Sequence, residues 1–156
     1  MLAIIGLASC CEEQFHVNGN ITEAKDSVLY FENMSLEGPV LIDSVKLSDD
    51  GSFEFSHKRS DAPEFYRLRI ARQIINISAD STETISIKAS YPTMATRYEV
   101  EGSENCKRIK ELSLMQIDLQ NAAIALDKNT SLSYAEAGDS LMKLIEAYKN
   151  GVKANY

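Results

Sequence analysis

This chain is poor in what makes a catalytic site recognisable. Its 156 residues include two histidines and three cysteines. His16 and His57 are isolated, and neither stands at ligand spacing from a cysteine, so the pattern offers no metal centre. No C-x-x-C occurs, which takes the dithiol redox motif out of these residues. No serine lies in G-x-S-x-G, the turn that exposes a hydrolase nucleophile. Basic residues never cluster beyond Lys58-Arg59 and Lys107-Arg108, and the net charge is −7, which argues against a nucleic-acid partner. No apolar run approaches the roughly 20 residues of a membrane-spanning helix. The sequence therefore assigns no catalytic residue, no metal and no cofactor.

What is present begins at the N-terminus. Leu2-Ala3-Ile4-Ile5-Gly6 leads into Leu7-Ala8-Ser9-Cys10. An apolar run closing on small residues and a cysteine reads as a lipobox, where a bacterial signal peptide is cut and the new N-terminal cysteine is lipidated. Cys10 is then a membrane anchor and the rest of the chain lies in the cell envelope. The usual Lys or Arg ahead of the apolar core is missing, so residues 1–10 read as an incomplete signal. The other reading is a buried N-terminal strand with a free cysteine. Residues 11–14 form a short tether, and its acidic Cys11-Glu12-Glu13-Gln14 resembles tethers that send lipoproteins to the cell surface. Cys11 and Cys106 remain, either as a disulfide or with Cys106 packed in the first turn of a helix.

Residues 15–102 have period two. Strands are expected over Phe15–Ile21, Ser27–Glu32, Val40–Leu47, Phe53–Ser56, Glu64–Ile70, Gln73–Ser78, Thr84–Ala89 and Tyr98–Glu101. Asp49-Asp50-Gly51-Ser52 is a turn, because glycine takes the positive φ of a tight reversal. Short strands at this spacing predict an antiparallel β-sandwich or barrel-like sheet. Val40, Ile42 and Leu47 form one apolar set. The aromatic residues Tyr30, Phe31, Phe53, Phe55, Phe65 and Tyr66 read mainly as core. Arg67, Arg69 and Arg72 alternate on or beside one strand. Tyr30, Phe65, Arg67 and Arg69 make the candidate binding face.

At Gly102-Ser103 the period changes. Ser103 is a helix N-cap, and Ile109, Leu112, Leu119, Ala123 and Leu126 follow at helical spacing. Ser133-Tyr134-Ala135-Glu136 is a capping box for a second helix carrying Leu141, Leu144, Ile145, Tyr148 and Val152. Residues 103–156 are thus an α-helical hairpin. The charge divides at the same boundary. The first 101 residues hold 16 acidic and 9 basic side chains, and the remainder hold seven of each.

The order of these signals resembles a known family. The likeness runs through Phe15-His16-Val17-Asn18-Gly19-Asn20-Ile21, Val28-Leu29-Tyr30, Ile42-Asp43-Ser44-Val45 and Asp50-Gly51-Ser52-Phe53-Glu54-Phe55. It continues in Ala62-Pro63-Glu64-Phe65-Tyr66-Arg67-Leu68 and Tyr98-Glu99-Val100-Glu101-Gly102-Ser103. These match the β-rich domain of unknown function that precedes a thioredoxin-like domain in TlpA/ResA-like and peroxiredoxin-like (AhpC/TSA-type) envelope lipoproteins. The resemblance implies a non-catalytic accessory domain that positions or dimerises the redox domain, since the redox C-x-x-C belongs to that following domain. It implies as partners the membrane through the lipid, a thioredoxin-like domain or other envelope proteins, and a second copy. The alternative is a stand-alone surface lipoprotein whose sheet binds a glycan or peptide.

Overall fold

Period-two alternation becomes eight strands in the computed structural model, which describes residues 13–128 and 134–155. The lipobox Leu7–Cys10, Cys11 and the capping Ser133 lie outside the described residues. The elements are β1 (Gln14–Thr22), β2 (Val28–Ser35), β3 (Gly38–Lys46), β4 (Ser52–Lys58), β5 (Glu64–Ile70), β6 (Gln73–Ala79), β7 (Thr84–Ser90), β8 (Tyr98–Glu101), α1 (Glu104–Asp127) and α2 (Tyr134–Asn155). They form two four-stranded sheets, ordered β4-β1-β7-β8 and β3-β2-β5-β6.

The expected mainly β sandwich with a helical pair is what forms, with one departure from antiparallel pairing. β1 and β7 run parallel, His16 opposite Thr84 through Thr22 opposite Ser90. Residues 23–83 separate them, so no local signal in the sequence announces the pairing.

Alternating side chains from both sheets meet between them. Val17, Ile21, Leu29, Leu68, Ile77, Ile85 and Ile87 are fully buried. Near β1's start the filling is aromatic. Phe31 stacks on Phe55 at 5.3 Å between ring centroids, and Phe15 lies 4.9 Å from Tyr66. Offset and edge-on aromatic pairs of this kind add to the burial energy. The expected apolar set of Val40, Ile42 and Leu47 holds in part, with Ile42 packed against the core. β3 is an edge strand, its register slips opposite Phe31 and Glu32, and Val40 is exposed while Leu47 is buried. The one-residue bulge leaves Val40, opposite Asn33, on the same side of the ladder as Val45, opposite Leu29, so Val40 is exposed by its place near the tip of an edge strand.

Strand directions give the sandwich two ends. Gln14 pairs with Lys58, and Phe15 touches Tyr66, which pairs with Asn33 and Ile77. One end, here called proximal, therefore gathers the start of β1, the β2–β3 turn, the β4–β5 and β6–β7 connections and the start of α1. The distal end holds the Asp49–Gly51 turn, where Gly51 has φ +66° and a Cβ would lie 1.9 Å from the Ile21 carbonyl oxygen. Asp50 holds that turn by accepting from Ser48 Oγ at 2.7 Å and from Ser52 N at 3.1 Å. Turn chemistry, as the sequence indicates, accounts for this acidic pair.

α1 runs along the side of the sandwich, against β6 and β8, one edge strand from each sheet. Covering these edges removes two templates for edge-to-edge association. Ser103 caps the helix by accepting from Cys106 N at 3.3 Å. α2 packs against α1, where Gly151 leaves room for Met115; an alanine Cβ there would stand 2.0 Å from the Met115 methyl.

Candidate functional site

β5 places Phe65, Arg67 and Arg69 on the outer face of the second sheet, because Tyr66, Leu68 and Ile70 take the inner one. Register sets Tyr30 opposite Arg69 and Glu32 opposite Arg67. The four residues proposed from sequence as a binding face thus share one surface. Of the six aromatic residues expected in the core, Phe31, Phe53, Phe55 and Tyr66 are buried, whereas Tyr30 is half-buried and Phe65 is 58% exposed.

At the centre of this face sits Glu32, a residue sequence reasoning missed. It is 6% exposed, held between two arginines. Arg67 Nε donates to Glu32 Oε2 at 2.5 Å, and Arg69 Nη2 donates to Oε1 at 2.8 Å. The Arg69 guanidinium also lies 4.5 Å over the Tyr30 ring, a cation–π contact. The bond to Arg69 most of all, with Arg67 adding to it against the cost of burial, holds the Glu32 carboxyl below the usual carboxylate range. The same bond raises Arg69. The basic stripe of the sequence is therefore mostly neutralised: two guanidiniums around one carboxylate leave a single positive charge. Arg72 lies beyond β5, in the exposed turn to β6.

The signal for Glu32 is present but needs register. A carboxylate closing the run Val28-Leu29-Tyr30-Phe31 and two arginines two apart on another strand become one cluster only when β2 and β5 pair. Met34, Leu41 and Phe65 flank it as exposed apolar neighbours. Such a face can hold a surface that presents apolar groups around a hydrogen-bond acceptor.

The remaining candidates resolve into packing. His16 Nδ1 lies 2.8 Å from Ser56 Oγ. His57 is half-buried at the edge of the aromatic core, 5.9 Å from Phe15. Cys106 is buried in the first turn of α1, its Sγ donating to the Ser78 carbonyl at 3.3 Å. Burial pushes its thiol pKa up. Glu83 is raised as well, chiefly by burial, and its Oε1 is a buried atom without a hydrogen-bond partner. Among the described residues no group of three His, Cys, Asp or Glu side chains could hold a metal ion. No described helix is long and apolar enough to cross a membrane.

The burial of Cys106 has a direct consequence. In the full chain carrying Cys10→Ser and Cys11→Ser, the Cys106 thiol should react with a thiol reagent on the order of 100-fold more slowly than in denaturant, because access requires local opening. Reaction of the native protein at the denatured rate would show that α1 does not cover it.

No curated protein matches the chain. Among solved structures it is similar to the crystal structure of (S)-allantoin synthase, with 9% identity and a TM-score of 0.40. That match covers 60% of this chain and 45% of the other, so the chain spans under half of that protein's length. The model of one family fits residues 15–108, from the first core residue of β1 into the first turn of α1, and the chain belongs to that family, Domain of unknown function (DUF4369).

Proposed function

We propose that this chain is the non-catalytic accessory domain of a lipid-anchored envelope thiol–disulfide oxidoreductase. Cys10 carries the lipid, and the domain positions a thioredoxin-like domain, or brings two together, at a fixed reach from the membrane. The observation that carries this reading is the continuity of anchor and domain. The lipobox cysteine stands five residues before the family match begins at Phe15. A domain that follows its anchor so closely has little freedom to wander, which suits a spacer. The outer face around Glu32, Arg67 and Arg69 is its contact with the redox domain.

A second reading has its own observation. The Phe65 ring is exposed beside Arg67 on the same face, an arrangement that also suits a sugar ring or peptide side chain, as in a stand-alone surface lipoprotein.

Intact mass of the native polypeptide isolated from its envelope, with peptide coverage, separates the two. The expected product is lipidated at Cys10 and larger than 17.3 kDa, with a C-x-x-C peptide beyond Tyr156. A lipidated product ending at Tyr156 would discard the redox assignment and leave the binding lipoprotein. The chain alone is expected to give no turnover in insulin reduction; measurable turnover would overturn its non-catalytic role.

A further inference from the structure

Among the described residues, more than half of the exposed large apolar side chains are gathered at one place. Nine large hydrophobic side chains stand out as exposed among the described residues, and five of them (Met34, Leu36, Val40, Leu41 and Phe65) lie towards the proximal end of the β3-β2-β5-β6 sheet. Leu36 is the extreme case. It occupies the tip of the β2–β3 turn at 108% exposure, with nothing of the fold against it. Below it Ser35 pairs with Gly38, Met34 with Pro39 and Asn33 with Val40. Ser35 Oγ fixes the turn by donating to the Gly38 carbonyl at 2.7 Å. The leucine is thus presented on a closed two-stranded ribbon.

The proximal end is also where the chain enters the fold. Cys10 lies four residues before Gln14, the first residue of β1. Four residues span at most about 14 Å even when fully extended. A lipid on Cys10 therefore keeps the start of β1 within about 14 Å of the bilayer, and the hairpin tip lies at the same end of the sandwich.

We propose that the β2–β3 hairpin is a second membrane contact, in which Leu36, supported by Met34 and Val40, inserts into the lipid surface to which Cys10 is tethered. The proposal rests on the lipoprotein reading for the tether and adds which end of the domain touches lipid. The tether makes insertion an intramolecular event, so a few apolar side chains suffice where they would not hold a free protein. A single leucine projecting from a turn offers a rigid protein little to grip, whereas a fluid surface closes around it. The charge of this end selects the lipid. With the β6–β7 connection and the start of α1 included, eight acidic side chains, from Glu13 to Glu104, outnumber Lys58, Arg59, Lys107 and Arg108 there, so the fit is to a zwitterionic surface and anionic lipid repels it. With the proximal end down, the distal end points away from the membrane and the face around Glu32 stands beside it, open to a partner.

The chain contains no tryptophan, so Leu36→Trp supplies a single fluorescent reporter at a position where the fold makes no contact. The full chain carrying Cys11→Ser is coupled through Cys10 to a maleimide lipid in vesicles of phosphatidylcholine and phosphatidylethanolamine. Cys106, only 1% exposed, does not compete for the maleimide. Val28→Trp, at the distal start of β2, is the control in the same background. The expected result is blue-shifted emission and quenching by brominated acyl chains for Leu36→Trp, and water-like emission for Val28→Trp. Anionic lipid should lower the quenching, and Val40→Asp should abolish it.

Water-like emission from both reporters would overturn the proposal and turn the patch into a protein-docking surface. Equal quenching of both would overturn it too, since the domain would then lie on the membrane without a preferred end. The coupling supplies the tether chemically, so this experiment reads docking alone. The native mass at Cys10 reads the anchor alone.

Discussion

Replacing Gly19 by alanine is expected to cost on the order of 4 kcal/mol or more, a loss reserved for a few mechanisms. A single domain holds about 5–15 kcal/mol of stability in all, so the Gly19→Ala chain should be largely unfolded or recovered in poor yield. Gly19 sits in the middle of β1, paired with Phe53 on β4 and with Ile87 on β7. Its φ is +153°, and a Cβ built there lies 1.8 Å from the Ile87 carbonyl oxygen and 2.7 Å from its carbon. These are backbone atoms, and no rotamer change moves them aside. The two strands would have to part, and the parallel ladder between them is the link that joins β4-β1 to β7-β8.

Gly38→Ala separates strain from collision. Gly38 also has positive φ, +119°, yet nothing lies within 4 Å of the Cβ it would gain. That variant should lose only the conformational term, roughly 1–3 kcal/mol. Denaturant unfolding of both variants measures the difference. A loss at Gly19 no larger than at Gly38 would mean that β1 and β7 accommodate a methyl group, contrary to their close approach.

The same position shows what was legible in the sequence. Strand positions were, because Phe53 and Phe55, or Tyr66, Leu68 and Ile70, alternate with polar residues and each alternation is local. The expected Glu64–Ile70 and Tyr98–Glu101 coincide with β5 and β8, and Ser103 caps α1 as its sequence context indicates. Pairing was not legible, because hydrogen bonds between β1 and β7 join residues more than sixty apart. The candidate face divides in the same way. Tyr30, Phe65, Arg67 and Arg69 are recognisable by residue type and alternation. Glu32 is not, since nothing around it in the chain distinguishes a buried carboxylate from a solvated one at the end of a strand. α1 also escaped a simple stripe: Cys106 and Ile117 face the sheets while Met115 and Leu119 face α2. A helix with two partners spreads its apolar residues around the axis and blurs the period.

Glu32→Ala is expected to destabilise the protein by about 3 kcal/mol, near the lower range for breaking a buried ion pair. The variant leaves two guanidiniums facing each other without their carboxylate. The side chains of Arg67 and Arg69 retain 18% and 27% exposure, so water recovers part of the loss and keeps it from the upper range. Glu32→Gln keeps an acceptor for one arginine and should cost less than the alanine. The acid limb of the stability curve carries the second signature. The folded-state pKa of Glu32 lies below its unfolded value, so its stabilisation is fully present above the unfolded value of about 4.3. It is lost as pH falls through the lower, folded value. Wild-type protein should therefore lose stability below about pH 4.3 more steeply than Glu32→Gln, with the two curves approaching each other in acid. Parallel curves over that range would mean that the carboxylate titrates as it does in the unfolded chain, and that the two arginines do not hold it. Because the cluster also fixes Arg69 over Tyr30 and shapes the face between Leu41 and Phe65, weakening of partner binding by Glu32→Gln at neutral pH, where the fold survives, would tie the buried charge to recognition as well as to stability.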